Sequence, residues 1–185
     1  MSSEKSYEVL RGEGIVLRKA REEDYASMLK HVWGDEEVYK WMLFQPTLTL
    51  EDAIARCKRS IAFQKEHFAW FVALKDTDEA AGLCAIRDNG QGHWEECGIC
   101  IGKAFQGRGY GKEILSLLLD LSFNKLGAAD FRYGYFDDNE KSKNLAEKFG
   151  FVFDRYEDTV RQWDGAPKKI VSCILSKEKY LSLGT

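Results

Sequence analysis

The chain holds 185 residues, 44% of them hydrophobic, with 27 basic against 30 acidic side chains and a formal net charge of −3 at pH 7. That length suits one domain with a real core. The slightly acidic balance excludes nucleic acid as the main partner, because phosphate-backbone binding needs a basic surface. The polar opening Met-Ser-Ser-Glu-Lys-Ser lacks the apolar centre of a signal peptide, and no apolar run approaches membrane-spanning length. With two prolines and no repeat or low-complexity stretch, the expectation is a single cytoplasmic domain over 1–185, its core at about 14–176.

In chain order, residues 14–19 are predicted as a first strand, followed by acid-led amphipathic helices over 22–33 and 35–43. A helix over 50–66 opens with Thr49 as cap and Glu51 and Asp52 in its first turn. Residues 68–75 and 80–88 are expected to alternate as a strand pair about the turn Asp76–Glu79. Then come strand 93–101, helix 109–126 closing at Gly127, strand 130–136, helix 139–149, strand 151–158 and strand 168–176. The fold class is α/β (α+β): a mixed sheet, antiparallel in its first half, with one β-α-β crossover and a closing hairpin.

The most informative stretch is the passage from strand to helix between residues 95 and 113. The apolar run Cys97, Ile99, Cys100, Ile101 gives way to a loop with Gly107, Gly109 and Gly111 among Gln106, Arg108, Tyr110 and Lys112. Ile114, Leu117, Leu118 and Leu121 then follow at helical spacing. Glycines let a backbone approach a ligand closely, and a helix start offers free N–H groups at the positive end of its dipole. Such a turn suits an anion, most often a phosphate. Two familiar nucleotide loops do not fit: Lys112 stands where a dinucleotide fingerprint needs its third glycine, and Glu113 where a triphosphate loop needs a magnesium-binding hydroxyl.

Gln106-x-x-Gly109-x-Gly111 resembles the [QR]-x-x-G-x-[GA] loop of the GNAT superfamily of N-acetyltransferases. Asn139-x-x-Ser142 with Lys148-Phe149-Gly150-Phe151 resembles that family's second coenzyme segment, and Ile15–Asp24 is similar to the opening of its ribosomal-protein-alanine (RimJ- and RimL-like) branch. The resemblance implies a GNAT-type, mostly antiparallel central sheet flanked by helices, with the β-α-β unit binding acetyl-coenzyme A as cosubstrate. It implies coenzyme contacts from Ile99, Cys100, Ile101, Gln106, Gly107, Arg108, Gly109, Tyr110, Gly111, Lys112, Asn139 and Ser142. Apart from the resemblance, Asp137 or Asp138 can cap the helix at 139–149, Leu145 and Phe149 form an i, i+4 pair, and Gly150 suits the position just past its end.

In such a reaction an amine attacks the thioester carbonyl, an oxyanion forms and the thiolate leaves, so a base, oxyanion donors and an acid are wanted. Glu96 is the candidate base, with Glu95 as fallback should a bulge shift the register and His93 behind them. Ser142 is the candidate acid, or solvent. The tyrosine many relatives use is replaced here by Ala146. Trp33 and Trp41 are candidate acceptor-binding residues, with Tyr39 and Phe44 in the same cluster, although aromatics at helical spacing are more often core.

Five cysteines, an odd count, are expected as reduced core thiols: on a strand Cys97 and Cys100 point to opposite faces unless a bulge intervenes. The three histidines have no ligand spacing, so no metal is expected. The expected function is acetyl transfer to a primary amine by direct attack, with no covalent enzyme intermediate. A protein or peptide N-terminal α-amine leads; a small amine (polyamine, amino acid, aminoglycoside) or a non-catalytic acyl-coenzyme A sensor are the alternatives. A homodimer is expected, and no membrane partner.

Overall fold

A computed structural model describes residues 7–184 of the protein. Eight strands occur among them: β1 Val9–Arg11, β2 Ile15–Arg18, β3 Ala69–Leu74, β4 Ala80–Asp88, β5 His93–Ile101, β6 Asp130–Phe136, β7 Val152–Val160 and β8 Pro167–Ser176. The helices are α1 Tyr25–Met28, α2 Glu36–Tyr39, α3 Leu50–Gln64, α4 Tyr110–Asp120, α5 Glu140–Lys148 and α6 Lys177–Ser182. The chain divides into two compact units, one made of residues up to Ile86 with Cys97–Leu117, the other of Arg87–Glu96 with Leu118 onward. Strand β5 contributes to both.

In the first unit the strands hydrogen-bond in the order β1-β2-β3-β4-β5, antiparallel from β1 to β4. The expected alternation of β3 is overturned: Ala69, Trp70, Phe71, Val72 and Ala73 are all buried. That run has no polar residue to offer to solvent, so both faces of the strand are covered. Helix α3 starts at Thr49, whose hydroxyl accepts from the Asp52 N–H at 3.2 Å, and turns Ala53 and Cys57 inward. They join Met28, Val32, Trp33, Val38 and Phe71 in one apolar cluster. The predicted helix 22–33 is three pieces: a 3-10 turn over Glu22–Asp24, α1, and a wide π turn over Leu29–Trp33 that buries His31, Val32 and Trp33. Arg18, 4% exposed, is anchored by both carboxylate oxygens of the equally buried Asp24 at 2.8 Å.

In the second unit the order is β5-β6-β8-β7. Here β5 runs parallel to β6, pairing His93, Trp94 and Glu95 with Asp130, Phe131 and Arg132, while β6, β8 and β7 are antiparallel. Phe123 stacks on Tyr180 at 4.6 Å, and Phe131, Phe151, Leu175 and Cys173 complete the interior. Helix α5 is capped by Asn139, whose Oδ1 accepts from the Ser142 N–H at 3.2 Å. This corrects the expectation of Asp137 or Asp138: the chain turns helical only after Asn139. Gly150 follows α5 at φ +74°, the left-handed stop expected there. Two elements escaped the sequence reading, namely the three-residue β1 and helix α6, the latter capped by the Ser176 hydroxyl accepting from Lys179 N–H.

Candidate functional site

The glycine loop belongs to the first unit. After β5 a 3-10 turn, Lys103–Phe105, reverses the chain, and Gln106 Nε2 ties it back by donating to Ile101 O at 3.1 Å. Gly107 and Gly109 have φ of +81° and +86°, and apart from their chain neighbours no heavy atom of the described residues lies within 4 Å of where a Cβ would stand on either. Gly107, Arg108 and Gly109 are exposed, and α4 begins at Tyr110. Two left-handed residues just ahead of a helix start, with open space around them, leave backbone N–H groups free to meet an anion. Lys112 is exposed in the first helical turn and adds a positive charge beside that start.

Glu113 is the one acid in the first turn, and it is directed elsewhere. Its Oε1 accepts from the backbone N–H of Gly14 at 2.9 Å and of Ile15 at 3.2 Å. The carboxylate thus pins the β1–β2 turn instead of filling the loop. Arg108 lies over the Phe105 ring at 5.8 Å.

In the second unit the two neighbouring acids of β5 have different partners. Glu95 forms an ion pair with Arg87. Glu96 is half-buried, and its Oε1 accepts from the Gly134 backbone N–H at 3.3 Å. Ladder pairing of β5 with β6 stops at Glu95, so at Gly134 a side-chain carboxylate takes the N–H. Next along β6, Tyr133 is buried and its hydroxyl shares a hydrogen bond with the Ser142 side chain. Burial drives the Tyr133 phenol well above its ordinary value; the Ser142 bond acts against this and the nearby Glu96 charge adds to it. Glu96, Tyr133 and Ser142 therefore form one electrostatically connected group: a carboxylate, a phenol that stays protonated and a hydroxyl. Sequence reasoning missed Tyr133, because it sought a tyrosine on the helix at position 146. The only signal was a Tyr in the strand beside the Gly that meets Glu96.

Ile99, Cys100 and Ile101 close β5 and are half-buried. Gly98 just before them has φ +123°, a break in the alternation of the strand. This break corrects the expectation of two core thiols: Cys97 is exposed and Cys100 half-buried, while Cys57, Cys84 and Cys173 are buried. Burial pushes the Cys100 thiol up to about 12, which suits a packing role and not a nucleophile. Asn139 spends its side chain on the α5 cap. Trp33 is 1% exposed and packs edge-on against Phe71; Trp41 is half-buried under Lys40. His93 faces Asp130 at 2.7 Å, and His31 is buried against Glu79 and the Phe105 edge. Among the described residues no three His, Cys, Asp or Glu side chains gather as metal ligands, and no helix is long and apolar enough to cross a membrane.

The family profile described as Acetyltransferase (GNAT) domain matches residues 15–152. A curated relative, the uncharacterized N-acetyltransferase p20 of Bacillus licheniformis, is 25% identical over 170 residues, covering 89% of this chain and 92% of its own. The crystal structure of a GNAT-family acetyltransferase from Bacillus anthracis superposes with a TM-score of 0.77 at 16% identity, over 92% of this chain and 99% of the other. A ribosomal-protein-S5-alanine acetyltransferase from Vibrio fischeri superposes with a TM-score of 0.73 at 15% identity, over 93% and 98%. The mixed, mostly antiparallel sheet flanked by helices is the fold these structures share.

Proposed function

The chain belongs to the GNAT family of acetyltransferases and is an acyltransferase enzyme, and within that family we propose that it moves the acetyl group of acetyl-coenzyme A onto an N-terminal α-amine of a protein or peptide. The observation that carries this reading is the loop at 106–112, with left-handed Gly107 and Gly109 opening onto unobstructed space at the start of α4. That arrangement fits a pyrophosphate: donors come from the backbone, no side chain crowds them, and the acid of the first turn is tied up with Gly14 and Ile15. Gln106, Arg108, Tyr110, Gly111 and Lys112 complete the cradle, with Ile99–Ile101 and the α5 start as the further coenzyme contacts. The family profile runs from 15 to 152, through residues of both compact units, which supports one catalytic domain.

When bound, the coenzyme supplies an acyl group activated as a thioester. The residues of the chain handle the protons. Glu96 takes the proton of the incoming ammonium, directly or through one water, and Gly134 N–H holds the carboxylate in place meanwhile. Tyr133, kept protonated by its burial and bonded to Ser142, offers a hydrogen bond to the departing sulfur, and the proton that sulfur takes up comes from the attacking nitrogen or from solvent. This replaces the role that Ala146 leaves open. No thiol of the chain is required as a nucleophile, in keeping with the raised Cys100.

The choice of amine follows from deprotonation cost. An α-amino group near 7.7–8.0 costs about 1 kcal/mol to neutralise at pH 7, against about 4–5 kcal/mol for a lysine nitrogen near 10.4. One half-buried carboxylate as base favours the cheaper amine. The fold shared with an acetyltransferase that carries ribosomal-protein S5-alanine in its name supports a protein N-terminus. Peptides differing only in a free α-amine or a free lysine ε-amine, compared by kcat/KM from thiol release, test this. The α-amine should be favoured by tenfold or more; equal or better use of the ε-amine overturns the assignment.

A further inference from the structure

His31 is a polar ring spent on an interior position. It lies in the wide turn Leu29–Trp33 of the first unit and is only 8% exposed. Burying an imidazole is costly unless its ring nitrogens find partners. Here Nε2 bonds Oε1 of Glu79, in the turn between β3 and β4, at 2.9 Å. That bond fixes the plane of the ring. In this plane the imidazole meets Phe105 edge to face, with centroids 4.9 Å apart and an interplanar angle of 66°.

Phe105 is buried, ends the turn Lys103–Phe105 and stands two residues before Gly107. The guanidinium of Arg108 lies 5.8 Å from its ring centre, and Arg108 Nη2 donates to Ala104 O at 3.4 Å. The other end of the turn is also seated on His31. A Cβ on Gly102 would stand 2.8 Å from His31 O and 3.0 Å from His31 Cβ. With φ −51° the backbone of Gly102 does not itself require glycine; the close approach does. His31 thus backs this turn twice, by its main chain at Gly102 and by its ring at Phe105. Glu79, His31, the turn and the glycine loop all belong to the first unit.

We propose that His31, anchored by Glu79, is a positioning residue for the coenzyme loop: it holds the Gly102–Phe105 turn so that the N–H groups around Gly107 and Gly109 are aligned before the ligand arrives. The proposal rests on the reading of residues 106–112 as the acetyl-coenzyme A site and deepens it. Gly107 and Gly109 stand in open space and have no side chains with which to fix the loop, so its orientation comes from the residues that flank it. A loop free to swing is competent for only part of the time, and its apparent affinity falls by that fraction. His31 acts on binding alone, because it reaches the loop through Phe105 and touches no reacting group.

The test is calorimetry of acetyl-coenzyme A on the full chain, with thermal unfolding read in parallel. Glu79→Ala removes the anchor at a position whose side chain is 38% exposed, and should weaken coenzyme binding about threefold or more. Glu79→Gln, which keeps an oxygen to accept the His31 N–H, should restore most of the affinity. His31→Leu should weaken binding about tenfold, and with a peptide acceptor it should raise KM for acetyl-coenzyme A while kcat at saturation is kept. Added to Phe105→Leu, it should cost little beyond what Phe105→Leu costs alone, because His31 acts through that ring. Unchanged affinity in either Glu79→Ala or His31→Leu makes His31 a packing residue and overturns the proposal, even where the unfolding temperature drops. Glu79→Gln binding as weakly as Glu79→Ala, or additive losses in the double variant, overturn it as well. Should His31→Leu not fold, the two Glu79 variants decide by themselves. Equal coenzyme affinities of Gly109→Asp and Gly109→Asn overturn the coenzyme-site reading and the proposal together; a loop that responds at Gly109 and ignores Glu79 and His31 overturns the proposal alone.

Discussion

The loop at 106–112 and the group around Tyr133 solve different problems with different parts of the chain. The loop works with backbone: Gly107 and Gly109 turn left-handed so that N–H groups ahead of α4 meet open space. The group in the second unit works with side chains, where Glu96 meets the Gly134 N–H and buried Tyr133 bonds Ser142. Binding a fixed anion needs only aligned dipoles, and a local run of chain supplies them. Moving a proton needs groups of different acidity held together, and only long-range contacts do that. Substitutions in the two regions should therefore fail in different ways.

The largest effect is expected at Glu96. Glu96→Gln keeps the shape and removes the base, so kcat should fall about 10²–10⁴-fold near pH 7 and recover in part as pH rises and free amine becomes abundant. Acetyl-coenzyme A binding should be unchanged. An unaltered pH–rate profile would move the role to Glu95 or water. Tyr133→Phe belongs to the same experiment: it should lower kcat less, with no recovery at high pH, because what it removes is a hydrogen-bond donor and not the base.

At the loop the failure should appear in binding. Gly109→Asp sets a negative charge among the donors, and Gly109→Asn is its neutral match, both residues tolerating a left-handed backbone. Calorimetry should show acetyl-coenzyme A held about tenfold or more weakly by the Asp variant than by the Asn variant. Equal affinities would remove the anion from this loop and with it the contrast between the regions.

The smallest effect belongs to Glu113, which lies in the loop's helix but serves the fold. Glu113→Ala leaves the Gly14 and Ile15 N–H groups without their acceptor, at a cost of about 1–3 kcal/mol. Thermal unfolding should register that loss while the affinity for acetyl-coenzyme A stays where it was. A weakened coenzyme with unchanged stability would mean that Glu113 supports the ligand after all.

The parts of this protein legible in advance are those whose physics is local. Thr49 ahead of Glu51 and Asp52 announces α3, the Leu145–Phe149 spacing and Gly150 bound α5, and the glycines before Ile114 mark a left-handed turn at a helix start, all within a few residues of one another. What stayed illegible depends on distant partners. Val9–Arg11 is a strand because Leu17 and its neighbours pair with it. Ala69–Ala73 is buried throughout, with Phe71 packed in one cluster with Met28, Val32, Trp33, Ala53 and Cys57 from other elements. The wide turn at Leu29–Trp33 is chosen by the burial of His31, Val32 and Trp33, since propensity alone favours an ordinary helix there.

By itself, then, the sequence determined the order of most elements, the family resemblance and the position of the glycine loop, because hydrophobic period, caps and glycine conformations act over one or two turns of chain. Tertiary structure alone decided which of two adjacent glutamates meets a backbone N–H, that Tyr133 and not a helix residue joins Ser142, that Cys97 faces solvent, and that the Arg56 guanidinium lies against the Trp33 and Phe44 rings. Each of those depends on desolvation and on groups brought together from separate strands and helices. Neither quantity exists until the chain has folded.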